Sequence, residues 1–425
     1  MVVKPSNLTA SNLWTTDLDA STGGVAVAER PVTWLQSPQL EEASCIPEEG
    51  TGAYDLLHRY GVGPMRQQRI PREYFKMDPE ERDARIWDLK RQMGDRLTIL
   101  GHHYQREEVI KFADFQGDSY KLSQQAATQT DAEFTLFCGV HFMAESADIL
   151  GTSSQHVILP NLEAGCSMAD MAKPEDVEAA WQTLHELGIE GIVPITYMNS
   201  AASLKAFCGR NGGIVCTSSN ASRVYDWAFQ HGDKVFFFPD EHLGRNTAVR
   251  KDIPQEQMVV WDPFQPLGGN TVEQLQNARV FLWKGYCSVH ARFSVAQIEQ
   301  ARQQYPDVNV IVHPECRLEV VQAADFDGST EYIIDVIRAA APGTTWAVGT
   351  EINLVKRLQE QMPDKKIFCL DPVICPCSTM YRIHPAYMLW TLEHLVRGEI
   401  VNEITVEPVM AEQARVALDR MLAVP

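Results

Sequence analysis

The chain has 425 residues, 45% of them hydrophobic, which is enough for buried cores and excludes a disordered protein. Its 37 basic residues (Lys and Arg) against 56 acidic ones (Asp and Glu) give a net charge of −19, which disfavours nucleic acids and anionic membranes as partners. No apolar run is long enough to span a membrane, and the start lacks the apolar stretch of a signal peptide, so we expect a cytoplasmic protein.

The first predicted unit is an N-terminal extension over residues 1–80, rich in Ser, Thr, Pro and Gly, to which no chemistry is assigned. Asp78 and Pro79 then predict the start of a helix that ends at Gly94. From that point short apolar runs alternate with helical patterns. This alternation is typical of parallel sheets with crossover helices.

The ends of the predicted strands repeat three times along the chain. The first repeated positions carry His, Tyr, Asn or Glu, in Gly101–Gln105, Tyr197–Ser200 and His313–Glu315. The second repeated positions carry a hydroxyl residue at a helix start, in Gly117–Ser119, Cys216–Asn220 and Gly328–Thr330. The third are Cys-Ser pairs that begin at Cys166, Cys287 and Cys377.

These repeats predict three similar α/β domains with parallel sheets around a pseudo-threefold axis, with an active site at the centre. We place domain 1 at 81–190, completed by a C-terminal helix within 380–425, domain 2 at 191–305 and domain 3 at 306–379. The stretch Asp252–Leu275, which contains Pro, Gln and Gly, is interpreted as an insertion in domain 2.

Cys166, Cys287 and Cys377 are the candidate metal ligands. Three thiolates that converge on an axis can hold three corners of a [4Fe–4S] cluster and leave the fourth iron open as a Lewis acid. The alternative for each cysteine is a small buried hydrophobic residue. Cys375 is a rival of Cys377, and Cys138 is a weaker rival, because it ends an earlier strand.

The other strand ends supply groups for proton transfer and anion binding. The candidates for proton transfer or for holding carboxylates are His102, Tyr104, Tyr197, Asn199, His313 and Glu315. The hydroxyls at helix starts are those of Ser119, Ser218, Ser329 and Thr330. Free N–H groups at a helix start suit phosphates or carboxylates, although plain helix capping is the alternative for each hydroxyl.

From Leu97 to Val396 the sequence resembles the quinolinate synthase family, the iron–sulfur enzymes of de novo NAD biosynthesis. The resemblance rests on the strand ends named above and on three further motifs: Gly139–Glu145, Pro239–Gly244 and Cys377–Met380. The family pattern Cys-x-x-Met fits Cys377 and leaves Cys375 outside.

The resemblance implies a transferase that condenses iminoaspartate with dihydroxyacetone phosphate to quinolinate, with loss of phosphate and two waters. It implies a [4Fe–4S] cluster on Cys166, Cys287 and Cys377. Glu315 is expected to act as general base and acid, with Tyr104 and His313 assisting proton transfers. The expected substrate-binding residues are His102, Ser119, Tyr197, Asn199, Ser218, His313, Glu315, Ser329 and Thr330. A functional partner would be an aspartate-oxidising enzyme that supplies the imine.

Other functions remain open at this point. A [4Fe–4S]-dependent hydro-lyase would use the same open iron, an iron–sulfur sensor or carrier would show no turnover, and a structural protein would bind zinc instead. The N-terminal extension, the insertion and Cys375 depart from compact members of the family. Cys375 could also form a disulfide with Cys377 on oxidation, although such a close pair is strained.

Overall fold

The structure is a computed structural model that describes residues 67–129, 131–373 and 376–424. Residues 1–66 of the expected N-terminal extension, and Cys375, lie outside the described residues. The described ranges belong to one compact unit that contains three separate β-sheets. None of the helices within these ranges is both long and apolar enough to cross a lipid bilayer.

The first sheet begins after two helices, α1 (Glu73–Lys76) and α2 (Pro79–Met93). Helix α2 begins as predicted, because the Asp78 side chain caps two N–H groups of its first turn. The strands are β1 (Leu97–His102), β2 (Phe115–Gly117), β3 (Phe134–Cys138) and β4 (His156–Ile158), and the helices among them are α3 (Glu107–Ile110), α4 (Ser119–Thr128) and α5 (His141–Leu150). The four strands are parallel and lie in the order β4-β3-β1-β2.

Helix α6 (Pro174–Glu186) leads into the second sheet. Its strands are β5 (Ile192–Tyr197), β6 (Ile214–Cys216), β7 (Lys234–Phe238), β8 (Met258–Trp261) and β9 (Val280–Trp283), with helices α7 (Ala202–Arg210), α8 (Ala221–His231), α9 (Glu241–Arg250) and α10 (Val272–Asn277). The five strands are parallel, in the order β6-β5-β7-β9-β8.

The third sheet has four parallel strands in the order β11-β10-β12-β13. Its elements in chain order are α11 (Val295–Gln304), β10 (Asn309–Val312), α12 (Leu318–Ala323), β11 (Phe326–Asp327), α13 (Thr330–Ala339), β12 (Thr345–Gly349), α14 (Ile352–Gln361) and β13 (Lys366–Cys369). All three sheets therefore share one order of four parallel strands. This finding confirms the α/β class and its three parallel sheets.

The expected insertion Asp252–Leu275 contains a strand of the second sheet. Strand β8 within it pairs in parallel with β9, and its register joins Trp261 to Trp283. The segment is therefore part of the sheet rather than a loop outside it. Its Pro and Gly residues obscured the four-residue strand, which is too short to give a clear alternation.

The C-terminal segment contacts two of the sheets. It contains α15 (Pro385–Val396), β14 (Glu403–Ile404) and α16 (Pro408–Ala423). Strand β14 pairs antiparallel with β4, at the same edge position that β8 has in the second sheet. Helix α15 packs against α2, whereas α16 packs against α7. The end of the chain thus contacts β4 of the first sheet and α7, which lies between β5 and β6 of the second sheet.

The contact between α7 and α16 depends on Gly209. A Cβ atom at this position would lie 1.9 Å from the backbone oxygen of Gln413 in α16, and a backbone atom cannot move aside alone. We expect Gly209→Ala to lower the free energy of unfolding by about 1–3 kcal/mol, measured by urea titration of the intact protein. Ser203→Ala on the same helix is the control and should change it by less than about 0.5 kcal/mol. Equal stability of both variants would contradict this helix contact.

Candidate active site

The loops that follow the strands of all three sheets meet at one cavity of about 640 Å³, part of it open to solvent. Ligand sites commonly lie outside the carboxyl ends of parallel strands. The cavity is lined by nearly all the side chains proposed from the sequence: His102, Tyr104, Ser119, Cys166, Tyr197, Asn199, Ser218, Cys287, His313, Glu315, Thr330 and Cys377. The structure thus brings together residues that are spread over 276 positions of the chain, from 102 to 377.

Ser329 is the exception among these residues, because it does not line the cavity. Its buried hydroxyl accepts a hydrogen bond from the N–H of Tyr332, 3.3 Å away, and so caps helix α13. Thr330, the next residue, faces the cavity instead. The expected substrate contact of Ser329 stays a prediction.

Cys166, Cys287 and Cys377 reach the cavity from the three different sheets. Burial raises the pKa of the Cys166 thiol to about 12, although a hydrogen bond from the N–H of Ala169 acts to lower this pKa. Burial also raises the pKa values of Cys287 and Cys377, and the charges of the other thiolates oppose ionisation of Cys166 and Cys287. The three thiols line one cavity, and their ionised forms need a positive partner.

Backbone N–H groups point at each of the three sulfurs. Those of Met168 and Ala169 face Cys166, that of His290 faces Cys287, and those of Thr379 and Met380 face Cys377. No lysine or arginine is among the described residues that line the cavity. A bound metal centre is the positive partner that this arrangement lacks, since coordination deprotonates a thiol outright. The donor set therefore fits a cysteine-bound metal group.

Glu315 is a buried carboxylate of the cavity and is only 3% exposed. It accepts hydrogen bonds from the hydroxyl of Tyr197 at 2.6 Å and from Nδ1 of His290 at 2.8 Å. Burial by itself would raise the pKa of Glu315, but His290 and the hydrogen bonds from its ring and from Tyr197 lower it. Glu315 is therefore ionised at neutral pH and ready to accept a proton.

His102 and His313 occupy matching places at the ends of β1 and β10. Nδ1 of His102 accepts the N–H of Tyr104 at 3.1 Å, and Nδ1 of His313 accepts the N–H of Glu315 at 3.3 Å. Burial, followed by the charge of a neighbouring histidine, lowers both pKa values to about 3. Both rings are therefore neutral and carry their proton on Nε2, so each can donate one hydrogen bond.

Two of the three helix starts are built as the sequence predicts. Helices α4 and α13 begin at Ser119 and Thr330, whereas α8 begins at Ala221, just after the loop that carries Ser218. Asp118 caps α4 and also accepts the hydroxyl of Ser219 at 2.6 Å, which ties the first sheet to the second. Such helix ends offer free N–H groups to an anion.

Sequence reasoning missed two buried residues of this site, His290 and Thr350. His290 lies three residues after Cys287, and this spacing was a usable signal. Thr350 directly follows β12, in the place that Gly139 and Pro239 have after β3 and β7. Ligand atoms of Cys287, His290 and Glu315 lie within 4.8 Å of one another, so this trio could also hold a single metal ion.

The fold and the cavity together define an α/β protein with an enzyme-like site where three parallel sheets meet. Comparison with known proteins identifies the family. Residues 84–423 match the family model described as quinolinate synthetase A protein, so the chain belongs to this family of NAD biosynthesis enzymes. This match confirms the resemblance seen in the sequence motifs.

Relatives named quinolinate synthase come from several bacterial groups. That of Corynebacterium glutamicum is 58% identical over 360 residues, which cover 84% of this chain and 91% of the relative. That of Streptomyces coelicolor is 54% identical, with coverage of 80% and 88%, respectively. That of a Geobacillus species is 53% identical, with coverage of 84% and 97%.

Proposed function

We propose that this protein condenses iminoaspartate with dihydroxyacetone phosphate to quinolinate, releases phosphate and two waters, and is thus a transferase. It works in the cytoplasm and receives its imine from an aspartate-oxidising enzyme. One observation carries the proposal: in a chain of this family, three cysteines from three sheets line the same cavity as an ionised glutamate.

Cys166, Cys287 and Cys377 would hold a [4Fe–4S] cluster in this proposal. The support is the shared cavity, the N–H groups directed at each sulfur and the absence of a lysine or arginine from the cavity lining. A cluster with only three cysteine ligands supplies an open iron, which acts as a Lewis acid toward a substrate oxygen.

Glu315 is the proposed general base and acid. Its carboxylate is ionised and desolvated, and its two hydrogen bonds fix its position beside the thiols. It can take a proton from a carbon next to a carbonyl group and return it to a hydroxyl that leaves as water. Tyr104 and His313 lie in the same cavity and assist its proton transfers.

The anionic groups of both substrates bind at the edge of the cavity in this proposal. Dihydroxyacetone phosphate carries a phosphate and iminoaspartate carries two carboxylates, and the starts of α4, α8 and α13 offer N–H groups with Ser119, Ser218 and Thr330. Nε2–H of His102 adds a donor, and Tyr197, whose hydroxyl donates to Glu315, lines the cavity beside these groups.

Asn199 is the proposed acceptor for a substrate N–H or O–H group. Its Oδ1 atom is buried and has no hydrogen-bond partner among the described residues, although the side chain lines the cavity. A buried acceptor without a partner costs about 1–3 kcal/mol, so a substrate donor that reaches it gains that amount. An imine N–H or a triose hydroxyl has the required chemistry.

The test is an anaerobic assay with freshly generated iminoaspartate and dihydroxyacetone phosphate. We expect quinolinate and inorganic phosphate to form in equal amounts. Dehydration of a hydroxy acid without condensation would identify the hydro-lyase instead. An intact cluster without any turnover would identify the sensor or carrier.

A further inference from the structure

Thr350 joins two groups of hydrogen-bonded residues. Its hydroxyl oxygen lies 2.8 Å from the hydroxyl of Tyr104 and 3.1 Å from Nε2 of His290. Thr350 is 1% exposed, so water does not compete for these contacts. Through it, Tyr104 from the first sheet is connected to Glu315 and His290 beside the third.

One set of hydrogen-bond directions carries a proton along this chain from Tyr104 to Glu315. In that set Nδ1 of His290 donates to the carboxylate, and Nε2 accepts. The hydroxyl of Thr350 therefore donates to Nε2 and accepts from Tyr104. Thr330 donates in turn to the oxygen of Tyr104 at 3.3 Å.

We propose that Thr350 is the positioning residue of a proton relay that runs from Tyr104 through His290 to Glu315. A proton taken up by the oxygen of Tyr104 releases that group's own proton to Thr350. The hydroxyl proton of Thr350 passes to Nε2 of His290, and the Nδ1 proton passes to Glu315. Each step breaks one O–H or N–H bond and forms another, so that one proton reaches the carboxylate and no charge stays on the path.

The relay would let two sides of the cavity exchange protons within one turnover. A reaction that removes protons from carbon and expels two waters needs several proton transfers, and Glu315 alone reaches one side of the substrate. The inference rests on the proposed function wherever its test measures turnover. Its hydrogen-bond pattern can be measured independently of turnover.

The decisive variant is Thr350→Val, which replaces the hydroxyl with a methyl group of similar size. We expect kcat for quinolinate formation to fall about 10- to 100-fold, with KM for both substrates within about threefold of the wild type. Thr350→Ser keeps the hydroxyl and should restore kcat to within about threefold. Iron content per chain should stay the same in both variants, which separates the relay from loss of the cluster.

Thr391→Val is the matched control. Thr391 is also fully buried, in α15, and its hydroxyl has no hydrogen-bond partner among the described residues. Its replacement tests whether removing any buried hydroxyl slows the enzyme, and we expect wild-type kcat. A Thr350→Val protein with wild-type kcat, or a Thr350→Ser protein as slow as Thr350→Val, would overturn the inference.

A second readout does not depend on turnover. In the ¹⁵N spectrum of histidine-labelled holoprotein, with His290 assigned by its loss in His290→Gln, we expect a neutral ring with the proton on Nδ1. Thr350→Val should shift the Nε2 resonance, because that atom loses its donor. If the wild type forms no quinolinate, the proposed function fails, and this spectrum still decides the inference: an Nε2 resonance that is the same in both proteins would refute it.

Discussion

Cys166→Ala, Cys287→Ala and Cys377→Ala are each expected to lose the cluster. Two remaining thiolates cannot hold a cube that needs three, so iron should fall from about four atoms per chain to below about one. Quinolinate formation should fall at least about 10³-fold, because the open iron is lost with the cluster. Iron and sulfide analysis of anaerobically reconstituted protein measures the first effect, and the coupled assay measures the second.

The controls for this prediction are two other cysteines. Cys208 is buried in α7 and does not line the cavity, so Cys208→Ala should keep its iron. Cys375→Ala should keep it too, because the family pattern selects Cys377. Because Cys375 lies outside the described residues, only this variant tests whether Cys375 is a ligand. Loss of iron in Cys375→Ala together with full iron in Cys377→Ala would show that the ligand assignment is wrong.

Glu315→Gln has the second-largest expected effect, a fall in kcat of about 10²- to 10⁴-fold with unchanged iron content. The amide keeps the shape of the side chain and one oxygen that can accept from Tyr197, but it cannot take a proton from carbon. The measurement is kcat for quinolinate formation alongside iron analysis of the same preparation.

Glu319→Gln is the control for this change. Glu319 lies four residues further along the chain, is exposed in the first turn of α12 and does not line the cavity. We expect wild-type kcat for this variant. Wild-type turnover in Glu315→Gln would remove Glu315 from the role of general base, whereas loss of iron would assign it to the metal site with Cys287 and His290.

The sequence predicted the three sheets because each repeat carries the same local signals. A buried parallel strand is a continuous apolar run, and the polar residues after it mark the edge at which ligands bind. Cys166, Cys287 and Cys377 could therefore be aligned without a structure. The helix starts at Ser119 and Thr330 followed from local chemistry in the same way.

Other features depend on tertiary contacts that leave no local pattern. Strand β14 has two residues, too few for an alternation, and its pairing with β4 exists only after the C-terminal segment has packed. Thr350 and His290 matter because of what they contact, and a single Thr or His carries no signal of a distant partner. For Ser329 the local signal was sufficient for the helix cap that the structure shows, whereas its substrate contact stays a prediction.

The most direct test of the account is a Mössbauer spectrum, with iron and sulfide analysis, of anaerobically purified protein before and after addition of quinolinate. We predict a [4Fe–4S] signal with about four irons per chain, one of which changes when quinolinate binds. One zinc or iron ion per chain after competent anaerobic reconstitution would contradict the account and would point to the site formed by Cys287, His290 and Glu315.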